Sequence, residues 1–427
     1  MDAPSSKSAQ PIRAVKGTRD LLPRDTALWQ KVEGEARRVF AAYHYGEIRT
    51  PVIEPTALFA RSVGEDTDIV SKEMYTFLDR SDESLTLRPE ATASVVRAYI
   101  EHSMFNEGGV HKLYYIGPMF RRDRPQKGRY RQFYQIGAEV LGSEHPGVDV
   151  ELLEMLALFL RRAGFQDFTL LINSVGDKNC RPQYLNALRE ALSGVKAQMC
   201  GDCQRRADSN PLRVLDCKVP ADQPIIEGLP RIIDHLDADC RAHFDAVLAG
   251  LDARDISYQI TPRLVRGLDY YTRTTFEITS GVLGAQNSIL GGGRYDGLSE
   301  MLGGPPAPGI GFAIGEDRLL LAVEAAGALK PEPALTAYVA WLGEAAGAAA
   351  GRLTRELRAQ GISVETGYED AKLKKSLSAA SRLGARFGVI IGEGELSSGL
   401  YQVKNLDTGQ QEAVEPARLA EYLTRPT

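Results

Sequence analysis

Two apolar runs, LYYIGPMF and QFYQIGAEV, flank a loop crowded with charge, and that arrangement restricts the fold more than any other feature of the chain. Both runs are of strand length and rich in aromatic and aliphatic side chains. Between them, six Lys and Arg residues fall from Arg121 to Arg131. So dense a cluster of like charge belongs at a solvated connection, so the runs are expected to pair antiparallel with the basic loop at one end. The whole chain of 427 residues carries a formal charge of −5, so the positive loop is a local feature and the protein is no general nucleic-acid coat.

Around this hairpin the chain reads as more than one domain. Leu28, Val32, Ala36, Val39, Phe40 and Tyr43 recur at helical spacing, with Asp25 as the expected cap, and a short strand should follow, ending at Pro51. EATASVVRAYIEH reads as a second helix. From about 167 to 260 the texture becomes helical and Cys-containing, which suggests an insertion; TFEIT and GGGRYDGL then return to strand and glycine turn. The stretch EAAGALKPEPA is a linker over 326–334. Beyond it, AYVAWL, RLTRELRAQ, ISVET, LKKSLSAASRL and FGVIIG alternate strand and helix. The expected organisation is a disordered tail at 1–10, an α+β domain at 11–325 built on an antiparallel sheet flanked by helices and carrying the helical insertion, and an α/β domain at 335–427. No apolar run is long enough for a membrane span, and the opening decapeptide lacks a secretory core. Five cysteines, an odd number in a chain of this size, suit reduced thiols in the cytoplasm.

Three stretches have the residue types for chemistry on an anion. Guanidinium groups bind phosphate through paired donors, so Arg121, expected at the end of an ordered strand, is a candidate phosphate ligand. On the returning strand, Phe133, Gln135 and Glu139 share one face by their even spacing and would offer an aromatic surface, an amide and a carboxylate. In LVRGLDYYTRTTFEI, Arg266 is costly to bury without an anion, the bland alternative being an ion pair with Asp269. An extended backbone would turn Tyr270 and Tyr271 to opposite faces, so only one of them should line a given pocket. In PGIGFAIGEDRLLLAV, Gly309, Gly311 and Gly315 allow close approach, and Arg318 sits near a helix start where it needs an anionic partner, phosphate or its neighbouring acids.

Taken in order, these stretches resemble the class II aminoacyl-tRNA synthetases: YGEIRTPVIEP is similar to their motif 1, FRRD with Phe133 and Glu139 to motif 2, and PGIGFAIGEDRL to motif 3. KGTRDLLP, TLRPEATASVVRAY, RGLDYYT and GGGRYDGL resemble segments of the histidyl-tRNA synthetase family. Asp123 stands where the class often has Glu, and Ala91 where Gly is frequent.

The resemblance implies an ATP site of Arg121, Phe133, Arg266 and Arg318, with Arg121 and Arg266 acting on the α-phosphate. It implies a histidine site of Glu90, Thr92, Gln135, Glu139, Tyr270 and Tyr271, and a loop of Arg122, Arg124, Gln126, Lys127, Arg129 and Arg131 meeting the acceptor end of tRNA(His). ATP would be a substrate accompanied by Mg²⁺, the C-terminal domain would bind the anticodon, and the motif 1 region would support a homodimer. The rival reading is a non-catalytic regulatory paralogue of histidine biosynthesis. The active site is expected to hold no metal of its own. Separately, Cys200 and Cys203 form a C-x2-C pair that, with Cys180 and Cys217, would make a structural zinc site in the insertion, the alternative to plain reduced thiols.

Overall fold

The computed structural model describes residues 11–64, 67, 69–126, 128–268, 270–281, 288–327 and 335–425. Lys127, Asp269, the 1–10 tail and most of the 326–334 linker lie outside the described residues. The chain forms two compact units, 1–329 and 330–427.

Helix α1 (Pro23–Ala42) opens the first unit and buries Leu28, Trp29, Val32, Ala36, Val39 and Phe40. It starts earlier than its apolar stripe suggests. Pro23 takes the first helical position, where a missing N–H costs nothing, so Asp25 lies inside the first turn and accepts from the Leu22 N–H at 3.3 Å. Helix α2 (Thr92–Glu101) precedes the long hairpin of β1 (His111–Phe120) and β2 (Gln132–Leu141), which pair antiparallel over ten residues each. Then come α3 (Pro146–Arg162), β3 (Thr169–Ser174), α4 (Arg181–Val195), α5 (Gly201–Ser209) and α6 (Ala238–Asp252). The unit closes with β4 (Thr272–Thr279), β5 (Ser288–Arg294), β6 (Gly309–Gly315) and α7 (Glu316–Ala326).

Among the described residues these strands form an eight-stranded sheet in the order 46–47, β1, β2, β6, β5, β4, β3, 259–260. The six long strands are antiparallel to their neighbours, and only the two-residue edge strands pair in parallel. A smaller antiparallel sheet of 53–55, 84–87 and 75–78 stands beside it. Arg88 leads from that sheet: its guanidinium donates to the carbonyls of Pro118 at 3.0 Å and Thr50 at 2.9 Å, fixing the 50–51 segment against β1.

The insertion is narrower than its composition suggests. β3 belongs to the main sheet, and Phe244, Val247 and Leu251 of α6 join the main core, although both elements lie within 167–260. The separate helical core gathers Tyr184, Leu188, Leu192, Met199, Cys203, Val214 and Ile226. Six residues of strand between long helical stretches leave too short an alternation to stand out by pattern.

The second unit contains β7 (Leu335–Trp341), α8 (Glu344–Ala359), β8 (Val364–Thr366), α9 (Leu373–Arg382), β9 (Ala385–Ile391), β10 (Tyr401–Asn405) and β11 (Gln411–Val414). Its sheet order is β8, β7, β9, β10, β11, the first three parallel and the rest antiparallel. Strand alternation sends Ala337 and Val339 to the α8 side, and Tyr338 and Ala340 to the α9 side.

Phe40 holds the first unit's layers together. Its ring is fully buried and lies 5.4 Å from Tyr114 of β1, 5.5 Å from Phe159 of α3 and 6.2 Å from Phe312 of β6, centroid to centroid. Phe40→Ala should cost about 3–5 kcal/mol. Urea unfolding in a Trp341→Phe background, where Trp29 reports this unit alone, measures the loss.

Candidate active site

The sheet's open face carries a cleft of about 280 Å³ between the hairpin, the 266–271 loop and the start of α7. Arg121, Arg266 and Arg318, far apart in the chain, all line it, as do Glu90, Thr92, Phe133, Gln135, Tyr270 and Tyr271.

Each arginine is held differently. Arg121 lies one residue past the end of β1. Its N–H donates to the Arg131 carbonyl at 2.9 Å, its Nε to the Pro89 carbonyl at 2.9 Å, and its guanidinium lies 5.5 Å from the Phe133 ring centroid. Arg266 meets Glu277 of β4, donating from Nη1 to Oε2 at 2.7 Å. An ion pair does hold it, with an acid eleven residues further on, while the Asp269 of the bland reading lies outside the described residues. The guanidinium lies across β5, where a Cβ on Gly291 would come within 1.9 Å of Nη2 and would push the guanidinium aside. Arg318 projects from the first turn of α7 beside the backbone of Gly128. Its sequence neighbours turn elsewhere: Asp317 bonds Arg19 at 2.7 Å, and Glu316 is buried on the α1 side, where desolvation and then Glu33 push its carboxyl well above the usual range.

The opposite end of the cleft is built on carboxylates. Glu90 caps α2, accepting from the N–H groups of Thr92 at 2.7 Å and Ala93 at 3.0 Å. Gln135, 7% exposed, lines the cleft with its Oε1 buried and without a hydrogen-bond partner. Glu139 has no exposed surface. Its Oε1 accepts from Thr92 Oγ1 at 2.7 Å and Tyr115 OH at 3.4 Å, its Oε2 from Tyr295 OH at 2.5 Å. Burial raises its pKa to about 8 against the hydroxyl donors that lower it. Glu139 thus forms the floor under the cleft, and Tyr295 stands between it and the cavity. A Cβ on Gly311 would lie 1.7 Å from Glu139 Oε2, so the glycine spacing of β6 makes room for this carboxylate.

Several expectations need correction. Tyr270 and Tyr271 both line the cleft, with ring centroids 4.8 Å apart, because the backbone turns there and is not extended. In the basic loop, Arg122, Arg124, Gln126 and Arg129 are all exposed, and Arg129 also borders the cleft and reaches Asp123 at 3.4 Å. Arg131 turns back to the N-terminal segment, its N–H donating to the Gly17 carbonyl at 2.7 Å and Nη1 to the Lys16 carbonyl at 3.2 Å. Arg19 continues that strap, with its guanidinium 4.5 Å from the Tyr130 ring centroid. Tyr115, Glu277 and Tyr295 were missed; the signal for Tyr295 lay in GGGRYDGL. Arg294 of that stretch is fully buried and ion-paired with Asp149, whose other oxygen is 3.0 Å from His243 Nε2.

This sheet, with its hairpin loop and convergent arginines, is the catalytic fold of a class II aminoacyl-tRNA synthetase. The family model described as Histidyl-tRNA synthetase matches residues 17–319, and that of the Anticodon binding domain matches 336–425. A histidine–tRNA ligase of Koribacter versatilis is 61% identical over 425 residues, covering 96% of each chain, and one of Solibacter usitatus is 60% identical over 401, covering 94% of this chain and 96% of its own. The crystal structure of apo Staphylococcus aureus histidyl-tRNA synthetase is 41% identical with a TM-score of 0.80, over 97% of this chain and 100% of that one. The chain belongs to the histidyl-tRNA synthetase family.

Glu139 ties stability to pH. Its folded pKa, about 8, stands above the ordinary 4.5, so between those values the unfolded chain loses this proton while the folded one keeps it. This contribution therefore destabilises the fold progressively as pH rises through the window, then levels off. Glu139→Gln keeps the hydrogen-bonding shape without the titration. Melting temperatures of both proteins from pH 5 to 9 should diverge in the variant's favour as pH rises; a constant gap would refute the assignment.

Proposed function

We propose that the chain is a histidine–tRNA ligase that joins histidine to AMP from ATP, releases pyrophosphate, and transfers histidine to the 3′ end of tRNA(His). The observation that carries this reading is the convergence of Arg121, Arg266 and Arg318 on one cleft that Glu90, Gln135 and a tyrosine pair also line, with Glu139 buried behind Tyr295 and Thr92.

The histidine carboxylate attacks the α-phosphorus of ATP and expels pyrophosphate; the terminal ribose hydroxyl of the tRNA then loses its proton and attacks the carbonyl of the mixed anhydride, whose bond to phosphate breaks to release AMP. No protein nucleophile takes part. Arg121 and Arg266 stabilise the charge that develops on the α-phosphate oxygens, and Arg318 serves the far end of the triphosphate. Phe133, already in contact with Arg121, stacks on adenine. The buried, unpaired Oε1 of Gln135 accepts from the substrate's α-ammonium, beside Glu90 and Thr92. Tyr270 and Tyr271 approach the imidazole, and Glu139 acts on it from beneath, together with Tyr295. Polar groups left unpaired by a smaller or apolar side chain would reject it.

Mg²⁺ bound with the triphosphate would supply further charge neutralisation. Of the cleft carboxylates, Glu90 caps a helix, Asp317 pairs with Arg19 and Asp123 pairs with Arg129; Asp123, the side chain 34% exposed at the loop, would be the one to share a Mg²⁺ ion with the triphosphate. The exposed Arg122, Arg124 and Gln126 would meet the tRNA acceptor end by phosphate contacts, with Lys127 beside them in sequence. In the second unit, Lys374 of α9 and Lys404 of β10 border a hollow that would receive the anticodon stem-loop. Exposed Ile53, Phe77 and Leu78 on the small sheet suit a homodimer contact, and the free thiols suit the cytoplasm. Among the described residues no helix is long and apolar enough to cross a membrane.

ATP–pyrophosphate exchange run with each of the twenty amino acids should proceed with histidine alone; no exchange with any would favour the regulatory reading. Arg266→Ala should lose about two to three powers of ten in exchange rate, the value of one aimed donor at ~2.7–4 kcal/mol. An unchanged rate would remove Arg266 from the mechanism. Sedimentation velocity should report two chains per particle.

A further inference from the structure

The helical insertion holds a cluster that the reading of the cleft does not use. Cys200, Cys203, Cys217 and Asp222 bring three sulfurs and a carboxylate oxygen within 4.8 Å of one another. Cys203, Cys217 and Asp222 are buried, and Cys200 is partly so. Cys180, which composition had grouped with the C-x2-C pair, lies in a different cluster, 3.8 Å from Cys240. Asp222 fills the place it was expected to take.

We propose that Cys200, Cys203, Cys217 and Asp222 form a structural site for a zinc ion. Two of the ligand edges already match tetrahedral geometry. Tetrahedral bonds of about 2.3 Å to sulfur and 2.0–2.2 Å to oxygen set ligand edges of about 3.8 Å between sulfurs and about 3.5 Å between sulfur and oxygen. Cys200 Sγ lies 3.9 Å from Cys217 Sγ, and Cys217 Sγ lies 3.3 Å from Asp222 Oδ2. Neighbouring backbone orients the donors: the Cys200 N–H donates to both Asp222 oxygens at 3.0 and 3.2 Å, and the Val219 N–H donates to Cys217 Sγ at 3.4 Å. Amides aimed at a ligand sulfur and a ligand carboxylate are the outer support that metal sites require. Three thiolates favour a soft, tetrahedral ion, and binding releases the three thiol protons to solvent.

The second cluster is a weaker site and so a useful control. It offers two sulfurs rather than three, and Arg273 lies 3.7 Å from Asp177, which opposes a cation. The zinc site also has a structural task. Its ligands enclose the Pro211–Asp216 turn, whose Arg213 donates to the Gly267 carbonyl at 3.5 Å, next to Arg266. A small helical lobe with a limited apolar core would thereby gain a rigid hold on the loop that carries a cleft arginine.

Mass-spectrometric metal analysis of the purified full-length protein should find stoichiometric zinc. Cys203→Ser should lose it, and Cys240→Ser should keep it. Should Cys203→Ser fail to fold, Co²⁺ substitution in the wild type decides: a tetrahedral visible spectrum with a charge-transfer intensity of three thiolates is expected. Protein that, after thiol reduction, carries no zinc and develops no Co²⁺–thiolate band would overturn the proposal. Zinc retained in folded Cys203→Ser, or a two-thiolate band abolished by Cys240→Ser, would overturn it equally.

Discussion

A carboxylate in the middle of a sheet, cut off from water, must be answered by donors on every side, and Glu139 imposes that demand on the catalytic unit. Hydroxyl donors come from three places in the chain, Thr92 at the start of α2, Tyr115 on β1 and Tyr295 in the turn after β5, while Gly311 on β6 leaves the space that the side chain occupies. Meeting that single demand brings the helix, the hairpin and the glycine-rich strands into register around one cavity. The same hydroxyls that satisfy Glu139 line or border the cleft, so stabilising the floor and shaping the pocket are one task.

At the other end the arrangement is reversed, with cations collected where charge of opposite sign is expected. Arg266 shows how such a group is kept in place without being spent. Glu277 takes Nη1, while the glycine strand leaves room for the rest of the fork. Arg121 is fixed from behind by the Pro89 carbonyl, which leaves its terminal nitrogens toward the cavity. Pre-set donors of this kind need no reorganisation when charge moves onto the phosphate.

Much of this could be read from the letters. The hairpin, α1 and the alternating C-terminal module follow from strand length and periodicity, and each of the three distant arginines stands out as a separate candidate anion ligand, their meeting at one site being what the family resemblance implies. What escaped detection depends on contacts between elements. Nothing local in the sequence couples Arg266 to Glu277, because the fold brings that acid across from β4. Tyr270 and Tyr271 seemed to diverge because an extended chain was assumed where the backbone turns. The cysteines sorted into two clusters, 180 with 240 and 200 and 203 with 217, by helix packing that spacing cannot foresee, and Asp222 is one aspartate among many until the fold closes around it. The insertion's limits were blurred because β3 and α6, though embedded in its sequence, pack with the main layer.

The strap formed by residues 16–19 gives the basic loop an uneven stiffness. Its root is clamped: Arg131 grips the Lys16 and Gly17 carbonyls, and Arg19 bridges the Tyr130 ring and Asp317 of α7. Beyond the clamp, Arg124 and Gln126 are exposed, while the Arg122 N–H donates to the Glu73 carbonyl at 2.7 Å. Such a cantilever can bend at its tip to follow an irregular polyanion while Arg121, at the fixed end, keeps its aim, so capture of a large flexible partner and precision at a small rigid one need not compete.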